Sequence, residues 1–183
     1  MPSVRWGLRG IPAASEDVMA ARDLVLAQLT GARCHVAHIS TRNAGAMVDY
    51  ARRQALPVTC ETTPPHFALT DVQIPYDSNY RMKPPLRSGR HRDPITDGLA
   101  AGRITLARLV ELFTTGRESV LRQGRGTLAP GAPGDVTVFS TDVEWTYDVN
   151  QSASRSRNSP FHGRTFHGGA MATVVDGQMK WRR

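Results

Sequence analysis

The order of helical and extended segments in the first third of the chain constrains its fold more than any other feature. An amphipathic pattern that starts near Ser15 ends at Gly31, and the apolar, β-branched stretch CHVAHI (34–39) follows at once. A second helical pattern over residues 42–56 leads into a second extended stretch, PVTCET (57–62). Because helix, strand, helix and strand are joined by short links, the sequence predicts an α/β fold with parallel strands.

Each helical pattern also predicts a buried face. In the first helix we expect Ser15 to be the N-cap and Gly31 to end the helix. Its apolar stripe is predicted to comprise Val18, Ala21, Val25 and Leu29. The second helix is predicted to face inward with Ala46, Tyr50 and Ala51.

The pattern changes after Thr63. Residues 64–93 are rich in proline and polar side chains, which predicts a long loop with short ordered pieces, and such loops are usually functional or disordered. Two short helices should follow, over residues 93–102 and 105–116, with Thr105 as the cap of the second one. The buried face of that second helix is predicted to be Leu106, Leu109, Val110 and Phe113.

The last third of the chain consists of short alternating strands separated by glycine and proline turns. Asp176-Gly177 lies between two such strands and predicts a two-residue β-hairpin loop. We therefore expect two domains, an α/β part over residues 1–123 and a small all-β part over residues 124–183.

Composition limits the kinds of partner. The formal net charge of +7 makes nucleic acid the first candidate, but the basic residues are scattered and no cluster carries interleaved aromatic side chains. We expect no nucleic-acid binding, and instead a solvated surface or a patch that faces an acidic subunit. The sequence shows neither a secretory signal nor a bilayer-spanning run, so no membrane association is expected. Cys34 and Cys60 are expected to be reduced thiols in a cytoplasmic protein.

One histidine occupies a position suited to binding a metal ion. His38 stands at the end of the CHVAHI stretch, and strict alternation would place Cys34, Val36 and His38 on one face. A neutral imidazole at a strand end is a good zinc ligand, although a single histidine is more often structural.

Several motifs occur in order along the chain: HIST (38–41), TPPH (63–66), PPLR (84–87), GTLAPGAPGD (126–135) and NSPFHG (158–163). Together they resemble bacterial zinc dihydroorotases, cyclic amidohydrolases of the metal-dependent hydrolase superfamily. The resemblance implies a partial (β/α)8 TIM barrel of the amidohydrolase type followed by a small C-terminal β-sandwich piece. It also implies hydrolysis of the cyclic amide of dihydroorotate in pyrimidine biosynthesis, with zinc as the metal.

Transferred residue by residue, the resemblance makes His38 the sixth-strand metal ligand, and it places His66 outside the metal set, as a structural residue. Lys83 stands where the family has a substrate-binding asparagine. We assign His91, His162 and His167 to the surface.

Other family features are missing. No HxH pair occurs, and the chain passes from Gly102 to Arg103 where the family has its eighth strand with the catalytic aspartate. The expectation is therefore weak or absent zinc binding and no catalytic residue in this chain.

Three functions remain open: a truncated, inactive dihydroorotase; a non-catalytic subunit that scaffolds aspartate transcarbamoylase; and a half-enzyme completed by another dihydroorotase chain. A binding module of unrelated function, recognisable by a basic face, is the alternative outside the family.

Overall fold

The structure is a computed structural model that describes residues 6–100 and 104–183, without the side chains of residues 95–100. It forms two compact units, Met1–Ile104 and Thr105–Arg183. The unit boundary precedes two short helices that we had grouped with the α/β part. The division into functional domains at residues 123 and 124 stays a prediction.

The first unit alternates helices and strands as the sequence predicts. Its elements are α1 (Ala13–Thr30), β1 (Cys34–Val36), α2 (Arg42–Arg53), β2 (Val58–Cys60), α3 (Pro64–Ala68) and α4 (Gly89–Ala100). Strands β1 and β2 pair in parallel, with Cys34 opposite Val58 and Val36 opposite Cys60. The predicted parallel α/β arrangement is therefore confirmed for these two strands.

The buried face of α1 differs from the predicted stripe. Ala20, Leu24 and Ala27 are buried, whereas Val18, Val25 and Leu29 are 66%, 62% and 79% exposed. The buried positions follow the i, i+4, i+7 spacing of one helical face. Two of the three are alanines, which allow close approach to α2 and β1. Besides Leu24, the larger apolar side chains Val18, Val25 and Leu29 lie outside that contact.

Helix α2 buries a face of the same kind. Ala44, Val48 and Ala51 are buried, while Ala46 and Tyr50 are exposed, so only Ala51 of the predicted inward set is confirmed. Leu24 and Ala27 of α1 pack with Val48, Ala51 and Val58 into one apolar cluster. A second cluster joins Ala20, Ile39 and Ala44.

The ends of the helices test the capping residues that the sequence predicts. Gly31 ends α1 in the left-handed conformation, with φ of 69°, as predicted. The N-cap of α1 is Pro12, not Ser15, and the Ser15 hydroxyl donates to the Pro12 carbonyl at 2.7 Å. Thr41 caps α2 by accepting a hydrogen bond from the Ala44 N–H group at 3.1 Å.

The long loop contains the short ordered pieces that the sequence predicts. Besides α3, two 3₁₀ turns occur, at Asp71–Gln73 and Ser78–Tyr80. Helix α4 begins at Gly89, four residues before the predicted start, and it includes Pro94.

The second unit contains α5 (Leu106–Phe113), α6 (Thr115–Leu121) and an antiparallel sheet in the order β3-β4-β5. The strands are β3 (Val136–Thr146), β4 (Thr165–Val175) and β5 (Gln178–Arg182). The predicted hairpin is confirmed, because Asp176 and Gly177 connect β4 to β5 with φ of 50° and 73°.

Helix α5 has the predicted cap but not the predicted burial. The Thr105 hydroxyl accepts from the Arg108 N–H group at 3.1 Å. Its apolar residues are all well exposed: Leu106 51%, Leu109 38%, Val110 38% and Phe113 65%. The amphipathic pattern correctly predicts the helix but does not show whether anything covers its apolar face. Within the part of the chain that the structure describes, no helix is both long and apolar enough to cross a membrane.

Candidate functional site

The HIST motif forms a turn that is held by Glu61. Strand β1 ends at Val36, and His38 follows in a left-handed conformation with φ of 56°. The Glu61 N–H group donates to the Val36 carbonyl at 3.3 Å, and the Ile39 N–H group donates to the Glu61 carbonyl at 2.8 Å. The predicted alternation therefore stops at Val36, because the backbone turns before His38.

Glu61 also contacts the His38 side chain. Its Oε1 atom lies 2.9 Å from Nδ1 of His38, and the two side chains are 48% and 53% exposed. A carboxylate only accepts hydrogen bonds, so this contact places a proton on Nδ1 of His38. No hydrogen bond among the described residues uses the other ring nitrogen, Nε2. Histidines that bind metals commonly donate one ring N–H group to a carboxylate in this way and bind the metal through the other nitrogen.

The serine and threonine of HIST are anchored by the first turn of α1. Glu16 Oε1 accepts the N–H groups of Ser40 at 2.7 Å and Thr41 at 2.9 Å, and its Oε2 accepts the Ser40 hydroxyl. The Thr41 hydroxyl donates to Asp17 at 2.5 Å. These bonds fix the backbone that follows His38. No local pattern in the sequence indicates this contact, because it joins residues 24 and 25 positions apart.

The arginine of the PPLR motif completes the anchor. Arg87 is almost fully buried, and its guanidinium donates to the Ile11 carbonyl at 2.7 Å and to the Ser40 hydroxyl at 3.0 Å. Its Nη2 atom lies 3.4 Å from Glu16 Oε2. Burial raises the pKa of the Glu16 carboxyl, but the hydrogen bonds from Ser40 and Thr41 and the Arg87 charge outweigh it. The pKa of Glu16 therefore lies below its ordinary value.

The described residues do not supply a complete metal site. No group of three or more histidine, cysteine, aspartate or glutamate side chains is placed to hold a metal ion within residues 6–94 and 104–183. His38 and Glu61 provide two donors, and a catalytic zinc needs about three protein ligands and a water. These side chains alone do not fit a catalytic zinc.

Two other residues singled out in the sequence lie elsewhere. His66 is buried, with Nδ1 2.6 Å from the Thr63 hydroxyl and Nε2 2.8 Å from the Pro84 carbonyl. Both ring nitrogens thus have partners, which agrees with a structural role. Lys83 is exposed and precedes Pro84. Its role in substrate binding stays a prediction.

The cysteines are free thiols, as predicted. They lie on the same face of paired strands, offset by two residues. That offset separates their Cα atoms by roughly 8 Å, beyond the reach of a disulfide. Burial raises the pKa of both thiols; Asp23 adds to the effect at Cys34, and Arg52 partly opposes it at Cys60.

The surface assignment of the remaining histidines is only partly correct. His162 and His167 have side chains that are 52% and 74% exposed. His91 is 6% exposed, and its Nδ1 atom accepts the Arg42 N–H group at 3.2 Å. The prediction for His91 was wrong because the start of α4 packs against the start of α2, a contact between distant segments that no local pattern reveals.

Comparison with curated proteins gives close relatives. The chain is 64% identical to a protein named dihydroorotase from Solibacter usitatus, over 99% of this chain and 53% of that protein. The chain is a relative of the dihydroorotases. A dihydroorotase from Anaeromyxobacter dehalogenans is 36% identical over 97% of this chain and 52% of its own length. The chain thus spans about half the length of these curated relatives. No profile of a known protein family matches it.

Solved structures with a similar fold are also found. The dihydropyrimidinase from Brevibacillus agri NCHU1002 has a TM-score of 0.82 at 20% identity, over 93% of this chain and 49% of that chain. The L-hydantoinase from Arthrobacter aurescens has a TM-score of 0.77 at 21% identity, over 92% and 49%. At this identity the likeness concerns the fold alone. The chain has a mixed α/β fold that corresponds to about half of these amidohydrolase TIM-barrel proteins.

The alignment to the Solibacter dihydroorotase also contains an internal gap. It spans 228 positions, whereas this chain has 183 residues, so at least 45 positions within the aligned span have no counterpart here. A missing internal segment was predicted between Gly102 and Arg103. That junction lies outside the described residues, so the location of the gap stays a prediction.

Proposed function

We propose that this chain is a dihydroorotase relative that keeps one metal ligand, His38, and does not hydrolyse dihydroorotate by itself. The observation that carries the proposal is the geometry of His38. Its ring is oriented by Glu61, its Nε2 atom is open, and no group of three potential metal ligands forms among the described residues.

The substrate class comes from the relatives. Proteins named dihydroorotase match nearly the whole of this chain, which supports the cyclic amide of dihydroorotate as the substrate of the lineage, with zinc as its metal. Within that lineage we assign His38 as a zinc ligand and Glu61 as the residue that orients it. Lys83 is proposed to face the substrate carboxylate, because its ammonium group can pair with an anion but cannot reproduce an amide's donor and acceptor pattern.

A turnover assay tests the proposal. The purified chain is incubated with dihydroorotate and added zinc, and the release of carbamoyl aspartate is measured. The expected rate equals that of buffer with zinc. A turnover within about a hundredfold of the 10 s⁻¹ that is typical of enzymes would contradict the proposal, provided that it is lost in the His38→Ala variant.

A second function is that of a half-enzyme completed by another dihydroorotase chain. The His38–Glu61 pair favours it, because a fully inactive relic has no need for an oriented imidazole. Exposed apolar side chains on α1, among them Val18, Val25 and Leu29, offer a surface for missing barrel elements. Mixing the chain with the amino-terminal half of the Solibacter relative should then restore turnover, and a mixture that uses His38→Ala should not.

The three-stranded sheet of the second unit is proposed to be one layer of a β-sandwich whose other layer comes from residues outside this chain. The net charge of +7 is compatible with an acidic partner such as aspartate transcarbamoylase. Co-purification of the two proteins at physiological salt would test that scaffolding role.

A further inference from the structure

A small cleft in the first unit is lined by cationic and donor side chains. Its volume is about 350 Å³, and its walls are formed by Arg42, Asn43, Arg90 and His91. This volume lies at the lower end of the range for small-molecule sites, about 300–1,000 Å³. His38 and Glu61 are not among the lining residues, so the cleft is distinct from the proposed metal ligand.

The hydrogen bonds of His91 leave one donor of its ring without an acceptor. Its Nδ1 atom accepts from the Arg42 N–H group at 3.2 Å, and because a backbone N–H group can only donate, the ring proton must sit on Nε2. The described neighbour of Nε2 is Nε of Arg90, at 3.5 Å, which is also a donor. Two donors therefore face each other at the cleft, one on His91, which is 94% buried, and one on Arg90, which is exposed. An oxygen that accepts from both would satisfy them.

The charges around the cleft also favour an anion. No carboxylate among the described side chains pairs with the guanidinium of Arg42 or Arg90. The two nearby carboxylates are already used. Asp17 accepts from Thr41 and from the Asn43 amide, at 2.5 and 2.8 Å, and Glu16 accepts from the HIST backbone and faces Arg87.

The helix backbones also favour an anion at the cleft. Arg42 and Asn43 begin α2, and Arg90 and His91 lie in the first turn of α4, so the positive ends of two twelve-residue helices meet at the cleft. Burial and the charges of Arg90 and Arg87 lower the pKa of His91, which keeps its ring neutral and its Nε2 a donor at neutral pH.

We propose that this cleft binds a phosphate-type oxyanion, with His91 Nε2–H and the Arg42 and Arg90 guanidinium groups as donors. Donors that approach from several directions suit the oxygens of a tetrahedral phosphate better than the two oxygens of a carboxylate. The volume admits free phosphate and the phosphate group of a small ester. The proposal is independent of the dihydroorotase activity and of the metal ligand.

Calorimetric titration of the full chain tests the proposal at constant ionic strength. The probes are inorganic phosphate, methyl phosphate, acetate and chloride. Phosphate is expected to bind with a stoichiometry of one, and the R42Q/R90Q double variant should bind it at least about tenfold more weakly. The matched control is R52Q/R53Q, which removes two charges from the other end of α2 and should change the affinity less than about twofold.

The remaining probes distinguish the sources of the anion. Equal binding of methyl phosphate assigns the cleft to phosphate esters, whereas binding of inorganic phosphate alone assigns it to the free ion, and both results support the site. Acetate or chloride binding as tightly as phosphate would overturn the assignment, and so would unchanged phosphate affinity in R42Q/R90Q.

A spectroscopic readout needs no variant. Two-bond ¹H–¹⁵N spectra of the histidine rings should show the proton of His91 on Nε2, and phosphate should shift that nitrogen while leaving His66 unchanged. A proton on Nδ1, or equal shifts at both histidines, would contradict the geometry.

Discussion

Arg87 and Glu16 lie 71 residues apart in the chain, yet their side chains meet at 3.4 Å, almost fully buried, beside the HIST turn. Glu16 holds the backbone of Ser40 and Thr41, and Arg87 holds the Ser40 hydroxyl. The pair therefore connects the start of α1, the end of the HIST motif and the PPLR motif. The position of the open imidazole depends on this anchor.

The Glu16→Gln variant should lower the free energy of unfolding by about 3 kcal/mol. The substitution leaves the buried Arg87 charge without its carboxylate. It also turns an amide N–H₂ group either toward the N–H groups of Ser40 and Thr41 or toward the Arg87 guanidinium, so donors face each other in both orientations. Urea unfolding followed by circular dichroism measures the change. The control is Asp49→Asn, which removes an exposed ion pair with Arg53 and should cost less than about 0.5 kcal/mol. Equal losses in the two variants would show that Glu16 is not an anchor.

Stability should fall in two steps as the pH decreases. The pKa of His91 is lowered from 6.5 by burial, Arg90 and Arg87, with Asp17 and Glu16 opposing. Between pH 6.5 and that lower folded pKa the folded state therefore binds fewer protons than the unfolded state, and stability falls as the pH decreases through this interval. The pKa of Glu16 is lowered from 4.5, so its contribution is complete above that value and is lost as the pH falls through the folded pKa. Urea unfolding between pH 8 and pH 3 measures both steps.

The His91→Asn variant separates the two steps. Its side-chain oxygen can still accept from the Arg42 N–H group, but the residue does not titrate. The loss of stability between pH 7.5 and pH 5.5 should be smaller in this variant, by at most about 1.4 kcal/mol per pH unit, while the step below pH 4.5 remains. Identical pH profiles of the variant and the parent chain would contradict the lowered pKa of His91.

Both cysteines should react as free but slow thiols. Burial raises the pKa of Cys34 and Cys60, so the reactive thiolate is scarcer at neutral pH than in an exposed cysteine. Titration with a thiol reagent should find two thiols in the denatured, unreduced protein and a several-fold slower reaction in the native protein. Finding none in the denatured protein would mean that the thiols are oxidised.

The sequence predicted those features that depend on local physics. The order of helices and strands, the Gly31 and Thr105 caps and the Asp176-Gly177 hairpin all follow from neighbouring residues. Burial was predicted poorly. Apolar residues such as Val25 and Phe113 mark a helical face, but their exposure depends on which elements are present to cover that face.

The functional residues likewise divide into those that a local motif indicates and those whose role depends on contacts between distant segments. His38 was found from its motif, whereas its partner Glu61 was not, because their contact depends on the pairing of β1 with β2. Arg87 and His91 were missed as buried polar residues for the same reason. A charged residue within a polar loop carries no local sign that distant carboxylates and helix ends will enclose it.

The central claim is that His38 is the metal ligand that this chain retains, and zinc titration by calorimetry tests it most directly. The parent chain should bind zinc weakly, with a dissociation constant above about 1 μM, and the His38→Ala variant should lose that binding while its circular dichroism spectrum stays unchanged. His167→Ala removes a comparable exposed histidine beside Glu144 and should leave the binding unaltered. Tight zinc binding that persists in His38→Ala would contradict the account.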